Sequence, residues 1–344
     1  MFDAFFAWYE GLTDGLIGSL ARFAVGLVLL IKGGDWFVDS ATGIAKRFRV
    51  PEIIIGATVV SIGTTLPEVM VSATAAVNQN GAIAYGNAIG SIICNTALIS
   101  ALTIAIRPAP VNRKAIVMPV MFVFISVAIY LVAAYGFGSF DRWMGIVMLL
   151  VFAVYMILTI RQGFKNPVAS DEHEEEEEEE KSGSLLKDVI VLVISAALIA
   201  VGADMLEGSS VSLATMAGIP TEVVGVTIVA LCTSLPELVT AITALAKGHG
   251  ALSLGNIIGA NIFNLVLVSG VAVTISPFTV PEGSTIFGQN TSLVMEIPLM
   301  VGVMALMTLP AVFKKKLFRW QGIALLGIYV AFVVLQVLIA LHVL

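Results

Sequence analysis

One block of sequence occurs twice in this chain. "GATVVSIGTTLPEVMVSATAAVNQNGAIAYGNAIGSIICNTALIS", from Gly56 to Ser100, aligns without a gap on "GVTIVALCTSLPELVTAITALAKGHGALSLGNIIGANIFNLVLVS", from Gly225 to Ser269, with about 19 of 45 positions identical. The register pairs Pro67 with Pro236, Glu68 with Glu237, Asn87 with Asn256, Gly90 with Gly259 and Asn95 with Asn264. Extended backwards, it also pairs Asp35 with Asp204 and Pro51 with Pro220. Self-similarity of that length marks an internal repeat, so the fold must hold two equivalent units.

Each copy is too apolar for a water-soluble fold. The 344 residues are 58% hydrophobic and only 12% charged, against about 25% charged in a soluble domain. Apolar runs long enough to cross a bilayer recur throughout, which predicts an all-α polytopic membrane protein. Hydropathy places about ten transmembrane helices, near 17–41, 52–78, 82–106, 115–135, 142–161, 186–212, 221–246, 250–274, 292–312 and 318–342. The first residues, "MFDAFFAWYEGLTDG", lack the basic start and cleavage site of a signal peptide and read as a short amphipathic segment on the interface.

The basic residues divide by side. Lys46, Arg47 and Arg49 follow the first span, Arg107, Arg113 and Lys114 the third, and Arg161, Lys165, Lys181 and Lys187 the fifth. Lys247 follows the seventh span, and Lys314, Lys315, Lys316 and Arg319 the ninth. The opposite side offers little beyond Arg22 and Arg142. The positive-inside rule then predicts cytoplasmic basic loops and both termini outside, in the cell's inner (plasma) membrane. The formal charge of −6 misleads, because "DEHEEEEEEE" (Asp171 to Glu180) holds much of the acid. That tract reads as a solvated cytoplasmic linker, 162–185, between a first half (1–161, repeat 1 at 51–106) and a second (186–344, repeat 2 at 220–274).

Five spans per half is an odd number, so the second half enters the membrane upside down. Two inverted-topology five-helix repeats are a common plan of secondary transporters, with ion sites near the midplane at the repeat interface. Channels are also built from repeats, so the duplication alone leaves both open.

The repeated motif carries the chemistry. Proline inside a helix removes one hydrogen bond and clashes with the carbonyl four residues earlier. The carbonyls freed lie near Gly63 and Thr64 in "GTTLPE", and near Cys232 and Thr233 in "CTSLPE". Thr64, Thr65, Thr233 and Ser234 add hydroxyls, and Glu68 and Glu237 add charge. Carbonyls, hydroxyls and carboxylates are the donors of a hard cation such as Ca2+, and Na+ accepts similar ones. Two glutamates match one divalent ion, or two monovalent ions or protons. A protonated pair beside a structural kink is the blander alternative, weakened by its occurring twice.

Other residues support or flank this site. Asn87, Ser91 and Asn95 share one helical face, as do Asn256, Ala260 and Asn264. Asn95 and Asn264 read as coordinating amides, and Gly86, Gly90, Gly255 and Gly259 as packing positions. Lys32 and Asp35, three apart on the first span, can pair locally, and with Asp39, and Asp204 and Glu207 in the second half, they read as an internal ion pair or cavity lining. Cys94 and Cys232 lie in apolar runs without metal spacing, and His173, His249 and His342 are scattered.

At "GTTLPE", "CTSLPEL", "GNAIGS" and "GNIIGANIFN" the chain resembles the cation/Ca2+ antiporter superfamily, and most closely its sodium/calcium exchanger branch with bacterial relatives. The resemblance covers both repeats and, through the five-plus-five layout, nearly the whole chain. It implies that Glu68 and Glu237 bridge Ca2+, with backbone oxygens of Thr64 and Thr233. It implies Na+ positions at Thr65, Ser91 and Ser234 with backbone oxygens of Ser61 and Ala230, and spans 1 and 6 sliding across the core.

Two departures stand out. Many exchangers have aspartate where this chain has Asn264, and the serine expected opposite Ser91 is Ala260. Asn264 leaves the site two formal charges instead of three, and Ala260 removes a hydroxyl from one sodium position, which puts fewer sodium ions, lithium tolerance or proton coupling within reach. The function implied is exchange of Na+ for Ca2+, extruding cytoplasmic Ca2+. Proton-coupled exchange of Ca2+ or another divalent ion, and a passive cation channel, are the alternatives. No nucleotide motif, nucleophile–base pair or phosphate loop is present, so no enzyme activity, organic cofactor or nucleic-acid partner is expected. The expected partners are the bilayer and inorganic cations, with one monomer sufficient for the path.

Overall fold

The computed structural model describes residues 15–108, 110–165, 185–217, 234–281, 285–286 and 288–340. The chain folds into helices α1 (Leu16–Arg47), α2 (Glu52–Val77), α3 (Gly81–Ile106), α4 (Arg113–Phe137), α5 (Arg142–Lys165), α6 (Leu185–Met216), α7 (Leu235–Ala246), α8 (Gly250–Ile275), α9 (Ser292–Lys314) and α10 (Arg319–Ala340). Among the described residues, nine are long and apolar enough to cross a bilayer. The described part of α7 has 12 residues, and the rest of the predicted span, 221–233, lies outside the described residues. So do the acidic tract and the first 14 residues.

Local chemistry sets the ends. Asn80 accepts a hydrogen bond from Ile83 N and caps α3, and Asn112 accepts from Lys114 N and caps α4. The tight turn between α7 and α8 passes through Gly248 at φ 90°, a conformation open to glycine. α1 runs six residues past its predicted end. Ala41, Thr42, Ile44 and Ala45 are buried there, and Lys46 and Arg47 complement the helix C-terminus.

The repeat helices form the interior. In α8, 83% of the most apolar window is buried, against 17% in α10 and 22% in α1. α2 and α8 cross at glycines: a Cβ on Gly255 would stand 2.2 Å from Ile53 O, and one on Gly259 2.2 Å from Ser61 Oγ. The surface that the repeat register would set against Gly86 and Gly90 is 222–230, outside the described residues. α1 packs along α6 backbone to backbone, and Cβ atoms on Gly26 and Gly202 would fall 2.9 and 2.8 Å from each other's carbonyl oxygens. This pair meets the interior where Phe37 covers Gly63 and Gly34 receives Val239.

Three features depart from the sequence reading. Lys32 does not pair with Asp35; it lies exposed on α1. Lys247 Nζ reaches across from the end of α7 instead, 3.5 Å from Asp35 Oδ1, 2.7 Å from Asp39 Oδ1 and 2.9 Å from Asp35 O. The packing of Gly34 on α7 brings these groups together, which a local spacing rule does not register. Short strands tie the loops: β1 (Ser139–Phe140) pairs antiparallel with β2 (Phe278–Thr279), and β3 (Thr285–Ile286) with β4 (Gln289–Asn290). On the basic face, Pro110 bridges to Lys316, joining the α3–α4 and α9–α10 connections.

Candidate cation-binding site

α2 is amphipathic with its polar face turned inward. Ser61, Thr64, Thr65, Glu68 and Ser72 recur at helical spacing and are all buried, while Leu66 and Met70 point outward. Pro67 lies inside this helix and gives no N–H to the Gly63 carbonyl. α7 repeats the pattern with Ser234, Glu237 and Thr240 buried. Here Pro236 stands in the first turn and Glu237 beside the helix N-terminus. The Glu68 and Glu237 side chains are fully buried and within electrostatic reach of each other.

Asparagines of the second repeat helices brace the two motif helices. Asn87 Nδ2 donates to Glu68 O at 3.2 Å and Ser72 Oγ at 2.8 Å. Asn256 Oδ1 accepts from Ser61 Oγ at 3.2 Å and Thr64 Oγ1 at 3.3 Å, and its Nδ2 donates to Thr240 Oγ1 at 3.1 Å. Thr65 Oγ1 donates to Glu237 Oε1 at 3.4 Å, a direct link between the halves. The Cys94 thiol lies beside Ser234 and within electrostatic reach of both glutamates, which places the middle of α3, at Asn95, near the same centre.

Much of the oxygen gathered there is unpaired. Among the described residues, both carboxylate oxygens of Glu68, Glu237 Oε2, Ser91 Oγ, Ser234 Oγ, Asn264 Oδ1 and both polar atoms of Asn95 are buried without a hydrogen-bond partner. Buried polar atoms are ordinarily satisfied, and an ionised carboxylate at mid-membrane costs about 3 kcal/mol on insertion scales. A hard cation held between the glutamates satisfies both requirements, and the donor set of carboxylate, hydroxyl and amide oxygens fits Ca2+ or Na+.

The predicted residues fall into three groups. Glu68, Glu237, Thr64, Thr65, Ser91, Ser234, Asn95 and Asn264 are buried on the repeat helices. Ser61, for which the backbone oxygen is the one implied, is buried too, and its hydroxyl bonds Gly56 O at 2.8 Å and Asn256. Thr233 and Ala230 lie outside the described residues.

Sequence reasoning missed two elements. A wide π-helical turn begins at Asn95 and another at Asn264, the matched positions of the two repeats. Such turns leave the regular helical hydrogen-bond ladder and concentrate at functional sites. Their signal is a serine five residues on, Ser100 and Ser269, and Ser269 Oγ donates to Asn264 O at 2.9 Å. The second is Asn261, whose Nδ2 donates to Thr96 Oγ1 at 2.7 Å and ties α8 to α3.

The chain matches the sodium/calcium exchanger protein family over residues 18–161 and 187–338. It is 32% identical over 343 residues to the sodium/calcium exchanger MaX1 of Methanosarcina acetivorans, covering 90% of this chain and 96% of that one. To the inner membrane protein YrbG of Escherichia coli it is 33% identical over 264 residues, 75% of this chain and 80% of that one. Its fold is similar to that of the sodium-calcium exchanger NCX_Mj, with TM-score 0.75 and 30% identity over 92% of this chain and 98% of that one.

Proposed function

Since the chain belongs to the sodium/calcium exchanger family, and is therefore an integral membrane cation exchanger and no enzyme, we propose that it exchanges Na+ for Ca2+ by alternating access and extrudes Ca2+ from the cytoplasm. The observation that carries this reading is the pair Glu68 and Glu237, fully buried, with three of their four oxygens unpaired among the described residues.

Ca2+ takes the two carboxylates together with backbone oxygens of Thr64 and Thr233. Na+ takes flanking positions at Thr65, Ser91 and Ser234, with backbone oxygens of Ser61 and Ala230, and Asn95 and Asn264 add amide oxygen. Thr65 gives exchange a physical basis. Its hydroxyl donates toward Glu237 while its lone pairs remain free for a cation. Na+ at Thr65 and Ca2+ at Glu237 therefore draw on one carboxylate and compete for it. Two carboxylates balance one Ca2+ or two Na+, so the exchange of one for the other leaves the site neutral.

The α1–α6 pair slides over the repeat core to open the site to either side. Lys247 holds α1 to the end of α7 in the arrangement described. The basic loops and the acidic linker face the cytoplasm, both termini lie outside, and one monomer in the inner membrane suffices.

The test uses proteoliposomes and radiolabelled calcium. Uptake should require an outward sodium gradient and be absent without one. Uptake driven by a pH gradient alone would replace sodium with protons as the coupling ion. Downhill calcium flux with no counter-ion would mean a channel and end the exchange reading.

A further inference from the structure

Asn264 offers the site one oxygen and has the rest of its polar atoms held. Its Nδ2 donates to Ala260 O at 3.1 Å. Its own carbonyl opens the π-turn of α8 and accepts twice, from Ser269 N–H across the turn and from Ser269 Oγ at 2.9 Å. Both lone pairs of that carbonyl are then occupied. Oδ1 is left, buried and unpaired among the described residues.

A third residue reaches this turn from another helix. Tyr130 of α4 is fully buried, and its phenol oxygen lies 3.1 Å from Ser269 Oγ. The Ser269 proton is committed to Asn264 O, so Tyr130 donates and Ser269 accepts. The chain runs one way, from Tyr130 O–H to Ser269 Oγ–H to the Asn264 carbonyl, and each bond polarises the next. Aromatic packing fixes its start. The Tyr130 ring lies 4.8 Å from that of Phe140 and 6.4 Å from that of Tyr85, centroid to centroid. Phe140 belongs to β1, which its pairing with β2 holds in place.

The other repeat is built differently. Ser100 stands where Ser269 stands, but its Oγ donates to Thr96 O at 2.6 Å. Both polar side-chain atoms of Asn95 are unpaired among the described residues. The π-turn therefore forms without a hydroxyl on its first carbonyl, and the brace at Asn264 is an addition to it.

A fixed oxygen discriminates between cations by size, and an adaptable one does not. Groups behind a ligand fix it in this way without touching the ion. We propose that Tyr130, acting through Ser269, is a positioning residue that holds Asn264 Oδ1 in place and so sets the preference of the site for Ca2+ over larger divalent cations. Asn95 supplies the adaptable amide on the opposite arm. The inference rests on the reading of Glu68, Glu237 and Asn264 as parts of one cation site.

Equilibrium binding to the purified full chain tests it and needs no transport. Bound radiolabelled Ca2+ is displaced by unlabelled Ca2+ and by Sr2+, its larger congener, and the ratio of the two midpoints is the readout. Tyr130→Phe keeps the ring, removes the donor and should lower the preference for Ca2+ about threefold. Ser269→Ala should lower it about tenfold. Ser100→Ala removes a buried hydroxyl at the matching position and should leave the ratio unchanged. In an Asn264→Ala background, Tyr130→Phe should have no further effect on it. A purely structural role would lower the melting temperature and leave the ratio alone. The inference falls if Tyr130→Phe keeps the wild-type ratio, if Ser100→Ala shifts it equally, or if the shift persists without Asn264. Glu68→Gln tells this failure from that of the site. Ca2+ still bound in that variant overturns the reading of the glutamates and this inference with it. Ca2+ lost there, with an unaltered ratio in Tyr130→Phe, overturns the role of Tyr130 alone.

Discussion

Glu68 stands midway along a helix, one residue past a proline that interrupts it; Glu237 stands in the first turn of one, where a proline costs no hydrogen bond. The same three letters, LPE, thus produce two electrostatic settings. Glu237 has the helix N-terminus and the Thr65 hydroxyl to support a negative charge. Glu68 has neither, and both its oxygens are unpaired among the described residues. The asparagines differ in the same sense. Asn264 is half tethered, donating to Ala260 O at 3.1 Å, while Asn95 is free at both polar atoms. An inverted repeat supplies two similar arms, and the small differences between them make the two arms of the site unequal.

The comparison can be broken most severely at the carboxylates. Glu68→Gln and Glu237→Gln should each lower sodium-driven calcium uptake by more than about 100-fold, since removing one charge of a buried group of charges costs about 3 kcal/mol or more. Near-normal uptake in either variant would reduce the site to one arm. The next largest effect belongs to the asparagines. Asn264→Asp sets a new carboxylate against the Ala260 carbonyl and adds a third charge, so apparent cation affinity should shift about tenfold. Asn95→Asp adds the same charge without losing a hydrogen bond. Equal titration curves for the two variants would erase the asymmetry.

Smaller changes sharpen it. Ala260→Ser restores a hydroxyl opposite Ser91 and should raise sodium affinity about fivefold, read from the sodium dependence of uptake. In chelator and without sodium, Glu68→Gln should raise the melting point more than Glu237→Gln, by the equivalent of about 1 kcal/mol. The reverse order would show that the N-terminus of α7 does not support Glu237. Lys247→Gln should alter the exchange rate only about twofold, because a half-exposed ion pair contributes little. Its effect should grow at low ionic strength, and a rate indifferent to salt would remove Lys247 from the moving contact.

Much of this was legible from residue order. Long apolar runs located α2 to α5 and α8 to α10 within a few residues, because hydrophobic length is a local property. The inward stripe of Ser61, Thr64, Thr65 and Glu68 was legible because polar residues on one helical face within an apolar span have nowhere else to go. What escaped depends on the packing between helices. Asp35 is sequence-near to Lys32 yet binds Lys247, since the meeting of Gly34 with α7 decides the partner. The π-turns at Asn95 and Asn264 carry no signal beyond a serine five residues on, and the bridge from Pro110 to Lys316 joins connections about two hundred residues apart in the chain. No periodicity announces contacts of that kind.

The crossing of Gly26 on Gly202 has a mechanical consequence. With bare backbone at the contact, α1 and α6 form a single stiff strut, one arm drawn from each half. Under the proposed exchange cycle, a tilt that uncovers the site on one side swings the same strut over it on the other. Leakage is then prevented by rigidity, as in a revolving door, with no second gate that has to keep time with the first.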